Sequence, residues 1–151
     1  DLYQTRSENW QRGSNTLRFL QKKLAQQYPH YDFDQLLLVG HSNGGDISAW
    51  LTNEGAPFVS HLITYDHRRV PLPRTSQVKV LSIRASDFPA DKGVLPRRNE
   101  IGAENICVHK IEQAKHNDMS DYGPDWLKNK MVKVTQQFLQ GATCEVIHNG
   151  A

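Results

Sequence analysis

The chain has 151 residues, 38% of them hydrophobic and 23% charged, a mix that fits one globular domain and excludes a disordered or collagen-like chain. With 18 Lys+Arg against 16 Asp+Glu the formal net charge is +2, too small an excess for nucleic-acid binding to be the main activity. The longest apolar run, Leu36–Gly40, falls far short of the roughly 18–20 residues that cross a membrane; two cysteines, Cys107 and Cys144, are too few for a disulfide scaffold but enough for one bridge.

The chain opens on Asp1 with nothing like a signal peptide ahead of the fold, so a removed segment or a longer chain is expected. Asp1–Thr5 is weakly strand-like, and Ser7–Ser14 reads as a loop. Thr16–Tyr28 has helical spacing, with Leu17, Leu20, Leu24 and Ala25 on one face, Ser14 or Asn15 as cap, and Pro29 as the stop. Leu36–Val39 is a short apolar run between polar residues and reads as a strand buried on both faces. Gly44–Asn53 returns to helical spacing through Ile47, Trp50 and Leu51. Phe58–Tyr65 and Val78–Ile83 read as strands, separated by a loop holding Pro71 and Pro73. Phe88–Arg98 is a loop, Asn99–Glu104 a short helix and Ile106–Ile111 the last strand. Pro124 opens a helix over Trp126–Gln140 that Gly141 stops, and the tail Thr143–Ala151 has no evident partner. Strands alternating with helices predict an α/β fold: a three-layer α/β/α sandwich around a mainly parallel sheet, as one unit over residues 1–151.

The segment that carries chemistry is Leu36-Leu-Leu-Val-Gly40-His41-Ser42-Asn43-Gly44-Gly45. Gly40-x-Ser42-x-Gly44 follows a strand and opens a helix. A serine nucleophile projects from such a turn only in a strained backbone conformation, and side chains two residues to either side would collide across it. The helix that starts after Ser42 points its N–H groups at developing negative charge, with the backbone N–H of Asn43 as oxyanion donor. Gly45 allows that helix to pack closely on the neighbouring strand. Three fixed residues occur by chance in roughly a few per cent of chains this long. The strand before and the helix after are what make the motif specific, and neither phosphate-loop pattern is present.

A serine nucleophile needs a base, and the base an orienting acid. The chain order is serine, acid, histidine. His116 follows the last strand in a loop at the carboxyl edge of the sheet and is the candidate base; His109 lies within a strand and His148 in the tail. The favoured acids are Asp87, just after the strand Val78–Ile83, and Asp91, which opens Asp91-Lys-Gly-Val-Leu-Pro96. Asp66, at the end of the earlier strand, is a third option.

Together these residues resemble the α/β-hydrolase superfamily from about Thr16 to Gln140. The segments Tyr65–Arg74, Ile83–Asp91 and His116–Asp121 are similar to a bacterial branch of it. The resemblance implies Ser42 as nucleophile, His116 as base and then acid, Asp87 or Asp91 as orienter, and no metal or organic cofactor. It implies a serine hydrolase that cleaves a small-molecule carboxylic ester or thioester through an acyl-enzyme. A non-catalytic binding module on the same fold is the alternative. The usual core has more strands before the elbow than this chain does, so the chain is expected to be the carboxyl-terminal part of a longer domain. The loop that normally supplies a second oxyanion donor is then absent. Losing one donor typically costs about a hundred- to a thousandfold in rate, so low activity is expected of the 151-residue piece alone.

The remaining features have plainer readings. His41 fills the variable elbow position. Arg68, Arg69, Arg74, Arg84, Arg97 and Arg98 form a solvated, ion-paired edge, and Asp118 and Asp121 cap the last helix. Trp10, Trp50 and Trp126 are core or half-buried anchors. The sequence leaves the compartment and the oligomeric state open.

Overall fold

The computed structural model describes residues 1–150. Its elements in chain order are α1 (Leu2–Gln27), β1 (Leu36–His41), α2 (Asn43–Asn53), β2 (Val59–Tyr65), β3 (Lys79–Arg84), β4 (Ile106–Lys110), α3 (Asp125–Leu139) and α4 (Cys144–Gly150). The four strands form one sheet in the order β1-β2-β3-β4, parallel throughout. The α/β class and the parallel sheet follow from the alternating pattern of the sequence. Among the described residues, no helix is long and apolar enough to cross a membrane.

The amino end departs from its predicted course. α1 is one helix of 26 residues, and it absorbs both the expected strand and the expected loop. Asp1 caps it by accepting the Tyr3 N–H at 3.0 Å. Trp10, Gly13, Ser14 and Leu17 lie along one face, and that face packs on α2. A Cβ on Gly13 would stand 2.7 Å from Ile47, so the glycine is what lets the two helices approach. The Ser14 hydroxyl donates to Glu54 just beyond α2. Small and polar residues that look loop-forming are here the contact face of a helix.

Neighbouring strand residues face opposite ways. Leu62 and Val80 join Trp10, Ala49 and Leu51 in the core beneath α1 and α2. Ile63 and Leu81 join Leu127, Met131, Val134 and Ile147 in the core beneath α3 and α4. The crossover from β2 to β3 contains no helix. Val70 and Leu72, each about 1% exposed, fill that place with loop side chains. β1 is an edge strand, not one buried on both faces: Leu37 is 38% and Val39 49% exposed.

The carboxyl end differs too. α4 forms over most of the expected tail and is tied to β4 by a disulfide between Cys107 and Cys144, while Ala151 lies outside the described residues. The helix expected over Asn99–Glu104 reduces to a turn and a short 3-10 stretch at Ala103–Asn105. Trp10 is fully buried, Trp50 is half-buried, and Trp126 is 47% exposed and no core anchor. Pro124 occupies the N-cap of α3, so neither Asp118 nor Asp121 caps it.

Candidate active site

Three side chains meet at the carboxyl ends of adjacent strands. Ser42 stands between β1 and α2 with φ 51° and ψ −120°, a conformation that costs a non-glycine residue energy and lifts its side chain off the turn. A Cβ on Gly40 would lie 2.3 Å from the Gly44 backbone, so only glycine fits there. A Cβ on Gly44 would meet nothing within 4 Å, so the expected collision exists on one side of the turn only. Gly45 lets α2 approach the neighbouring strand as expected, since a Cβ there would stand 3.3 Å from Thr64 Cβ on β2, and it lies closer still, 2.8 Å, to His67 Cβ in the loop after β2.

His116 comes from the loop after β4. Its Nδ1–H donates to Asp66 Oδ2 at 2.6 Å, and its Nε2 then accepts from the Ser42 hydroxyl at 3.1 Å. The acid on the imidazole is therefore Asp66, not Asp87 or Asp91. Asp66 directly follows β2, the strand paired with β1, so it leaves the sheet beside Ser42. It is fully buried, at φ 56°. Its Oδ1 accepts the Ala85 N–H at 2.9 Å and faces the Arg84 guanidinium at 3.4 Å.

Asp87 and Asp91 do other work. Asp87 Oδ1 accepts the backbone N–H of His116 at 2.8 Å, and so holds that residue's main chain rather than its ring. Asp91 pairs with Arg68 at 3.0 Å and Arg69 at 3.5 Å. The imidazole stacks on the Phe88 ring, 3.8 Å between centroids, and the His41 ring lies tilted against it at 4.8 Å. Arg68 covers Phe88 at 5.1 Å. His41 Nε2–H donates to the His116 carbonyl at 3.1 Å, so the residue before Ser42 braces the loop that carries His116. Burial, above all, holds the His41 pKa below its ordinary value, which keeps that ring neutral near pH 7.

The arginine-rich middle of the chain divides in two. Arg68, Arg69 and Arg74 are ion-paired, as a charged edge would be. Arg84 is 5% exposed and serves the site directly through Asp66. Sequence reading missed Asp66 as the favoured acid, Arg84 and Phe88. The available signal was that the strand following the elbow helix pairs with the elbow strand and ends on an aspartate.

Asn43 begins α2. Its side chain is tied to α1, accepting from Trp10 Nε1 at 3.1 Å and donating to Asn9 at 2.9 Å. Its backbone N–H lies in the first turn, where helix N–H groups have no partner within the helix. A groove of about 390 Å³ lies on the α3 side of the sheet, lined by Tyr65, Met119, Met131, Val132 and Thr135 among others, and Ser42, His116 and Asp66 are not among its lining. An imidazole held between a buried carboxylate and a serine hydroxyl can take the hydroxyl's proton as the oxygen attacks an electrophile.

Compared with known proteins, the chain matches no family model, no curated protein and no solved structure.

Proposed function

We propose that this protein is a serine hydrolase that cleaves a carboxylic ester or thioester through an acyl-enzyme. The observation that carries the reading is the hydrogen-bonded run from Ser42 Oγ through His116 to the buried Asp66. Ser42 Oγ attacks the acyl carbon as His116 Nε2 takes its proton. Asp66 holds the imidazole in the tautomer that makes Nε2 the acceptor and stabilises the imidazolium that forms. His116 returns the proton to the leaving alcohol or thiol. It then draws a proton from water, whose oxygen attacks the acyl-serine, and delivers that proton to Ser42 as the acid departs. The Asn43 N–H, at the positive end of α2, faces the oxyanion. These steps call for no metal or organic cofactor.

The architecture behind this reading is a three-layer α/β/α sandwich, part of an α/β-hydrolase domain. Cores on both faces of a parallel sheet support it. The bare apolar residues of the edge strand β1 support further strands beside it, and with them a second oxyanion donor.

The test is covalent labelling by a fluorophosphonate. The protein expressed from its full reading frame should label at Ser42, and its Ser42→Ala form should not. A full-frame protein that is folded and stays unlabelled refutes the hydrolase reading and leaves a binding module on this fold. The 151-residue chain should label about a hundred- to a thousandfold more slowly, the typical cost of one missing donor.

A further inference from the structure

Away from the candidate active site, four metal-binding side chains meet where α4 packs on β4. Cys107 and His109 are two apart on β4 and point to the same face. Cys144 and His148 are four apart on α4 and share a helix face. The sulfur of Cys107, the sulfur of Cys144 and a ring nitrogen of His148 all lie within 4.8 Å of one another. His148 Nε2 is 3.2 Å from Cys144 Sγ. Its other nitrogen, Nδ1, is 3.0 Å from His109 Nδ1.

His109 is hard to explain by packing alone. It is 6% exposed, yet its Nε2 has no hydrogen-bond partner among the described residues. An apolar side chain would fill this place without leaving a buried nitrogen unpaired. What the ring does have is its contact with His148. That is the relation of a metal-ligating histidine to the partner that fixes its tautomer: one nitrogen toward the ligand cluster, the other hydrogen-bonded behind it.

We propose that reduction of the Cys107–Cys144 disulfide turns this cluster into a zinc site, with Cys107, Cys144 and His148 Nε2 as ligands and His109 as the positioning residue behind His148. A dithiol reductant supplies the electrons. Its thiolate attacks the half-buried Cys144 sulfur, the S–S bond breaks, and Cys107 leaves as a thiolate. The reductant's second thiol then displaces Cys144 from the mixed disulfide. Two electrons and two protons pass to the protein as the dithiol becomes a disulfide. Zn²⁺ then replaces the two thiol protons. Zinc–sulfur and zinc–nitrogen bonds of about 2.3 and 2.0 Å put tetrahedral ligand atoms roughly 3–4 Å apart, close to the present spacing once the S–S bond is open. A cleft of about 230 Å³, lined by Cys107, Cys144, Glu104 and Asn105 among others, gives the ion and a fourth, water ligand a way in.

The experiment reduces the protein with a dithiol, removes the excess, and titrates it with zinc against a chromophoric chelator. Circular dichroism follows the fold. One Zn²⁺ should bind the reduced protein with a Kd below about 1 μM and none the oxidised form. His148→Ala and Cys144→Ser should each weaken binding at least a hundredfold, and His109→Ala about ten- to a hundredfold, the usual cost of losing such a partner. If the reduced protein loses structure, zinc should restore it. The proposal fails if the disulfide resists reduction in the folded protein, if zinc neither binds nor restores structure, or if His148→Ala binds zinc as well as the unaltered protein.

Discussion

At the scale of single residues, three aspartates near one histidine have three different tasks. Asp66 holds the imidazole, Asp87 holds the backbone of the same residue, and Asp91 anchors two arginines. If the proposed mechanism holds, these differences are measurable. Asp66→Asn keeps the shape but offers the imidazole an amide, which stabilises neither the right tautomer nor the imidazolium. We expect kcat for a short acyl ester to fall by about 10³–10⁴-fold, with KM little changed. Asp87→Asn keeps an acceptor for the His116 N–H and should cost less than about tenfold. Steady-state kinetics of both variants decides, and an Asp87→Asn loss as large as that of Asp66→Asn would return the acid's role to Asp87. Ser42 and His116 were legible in the sequence because a spacing rule and a chain order point to them. Asp66 was not, because the order serine–acid–histidine admits every aspartate in between. Choosing among them needs the sheet order, which places the end of β2, and not the end of β3, beside Ser42.

At the scale of elements, periodic apolar runs located the four strands, α2 and α3 to within a residue or two. The helix expected over Thr16–Tyr28 is the second half of α1, but its first half and α4 were hidden, for different reasons. The buried face of α1 includes Gly13 and Ser14, small residues selected for closeness to α2, and such residues carry no hydrophobic periodicity. α4 is short and gains its place from Cys144 and from Ile147, which is fully buried. The elbow turn gives a sharper test of local packing. Gly40→Ala forces a Cβ into the Gly44 backbone and should destabilise the protein by roughly 2 kcal/mol or more. Gly45→Ala presses on His67 and should also destabilise it. Gly44→Ala meets open space in a helix and should be neutral or stabilising, by up to about 1 kcal/mol. Urea unfolding of the three variants separates them; an equal loss at Gly44 and Gly40 would mean that both flanks of the turn are closed.

At the scale of the whole molecule, one buried histidine links the two halves of the site to acid stability. His67 is fully buried next to Asp66, beneath α2. Its Nε2–H donates to the Val70 carbonyl at 3.0 Å, and its Nδ1 accepts from Arg84 at 3.4 Å, so the ring is neutral with both nitrogens occupied. Burial first, and the Arg84 charge second, lower its pKa from 6.5 to about 3. In the unfolded chain the same ring takes up a proton near pH 6.5. The unfolded state therefore binds more protons than the folded one between those two values, and stability rises with pH across that window. The contribution is complete above about pH 6.5 and is lost progressively as pH falls toward 3. A single such group adds a slope of at most about 1.4 kcal/mol per pH unit. Burial lowers the pKa of His41, His61 and His109 as well, so they add slope of the same sign. His67→Gln keeps a side-chain donor for Val70 and removes the titrating ring. Urea unfolding between pH 7 and 5, above the range where most carboxylates titrate, should show the slope flatten by up to that amount in the variant. An unchanged slope would mean that the folded protein admits the proton, and that Arg84 moves away from His67 to let it in. The same movement would take Arg84 off Asp66, so the acid limb of stability and the integrity of the proposed triad should fail together.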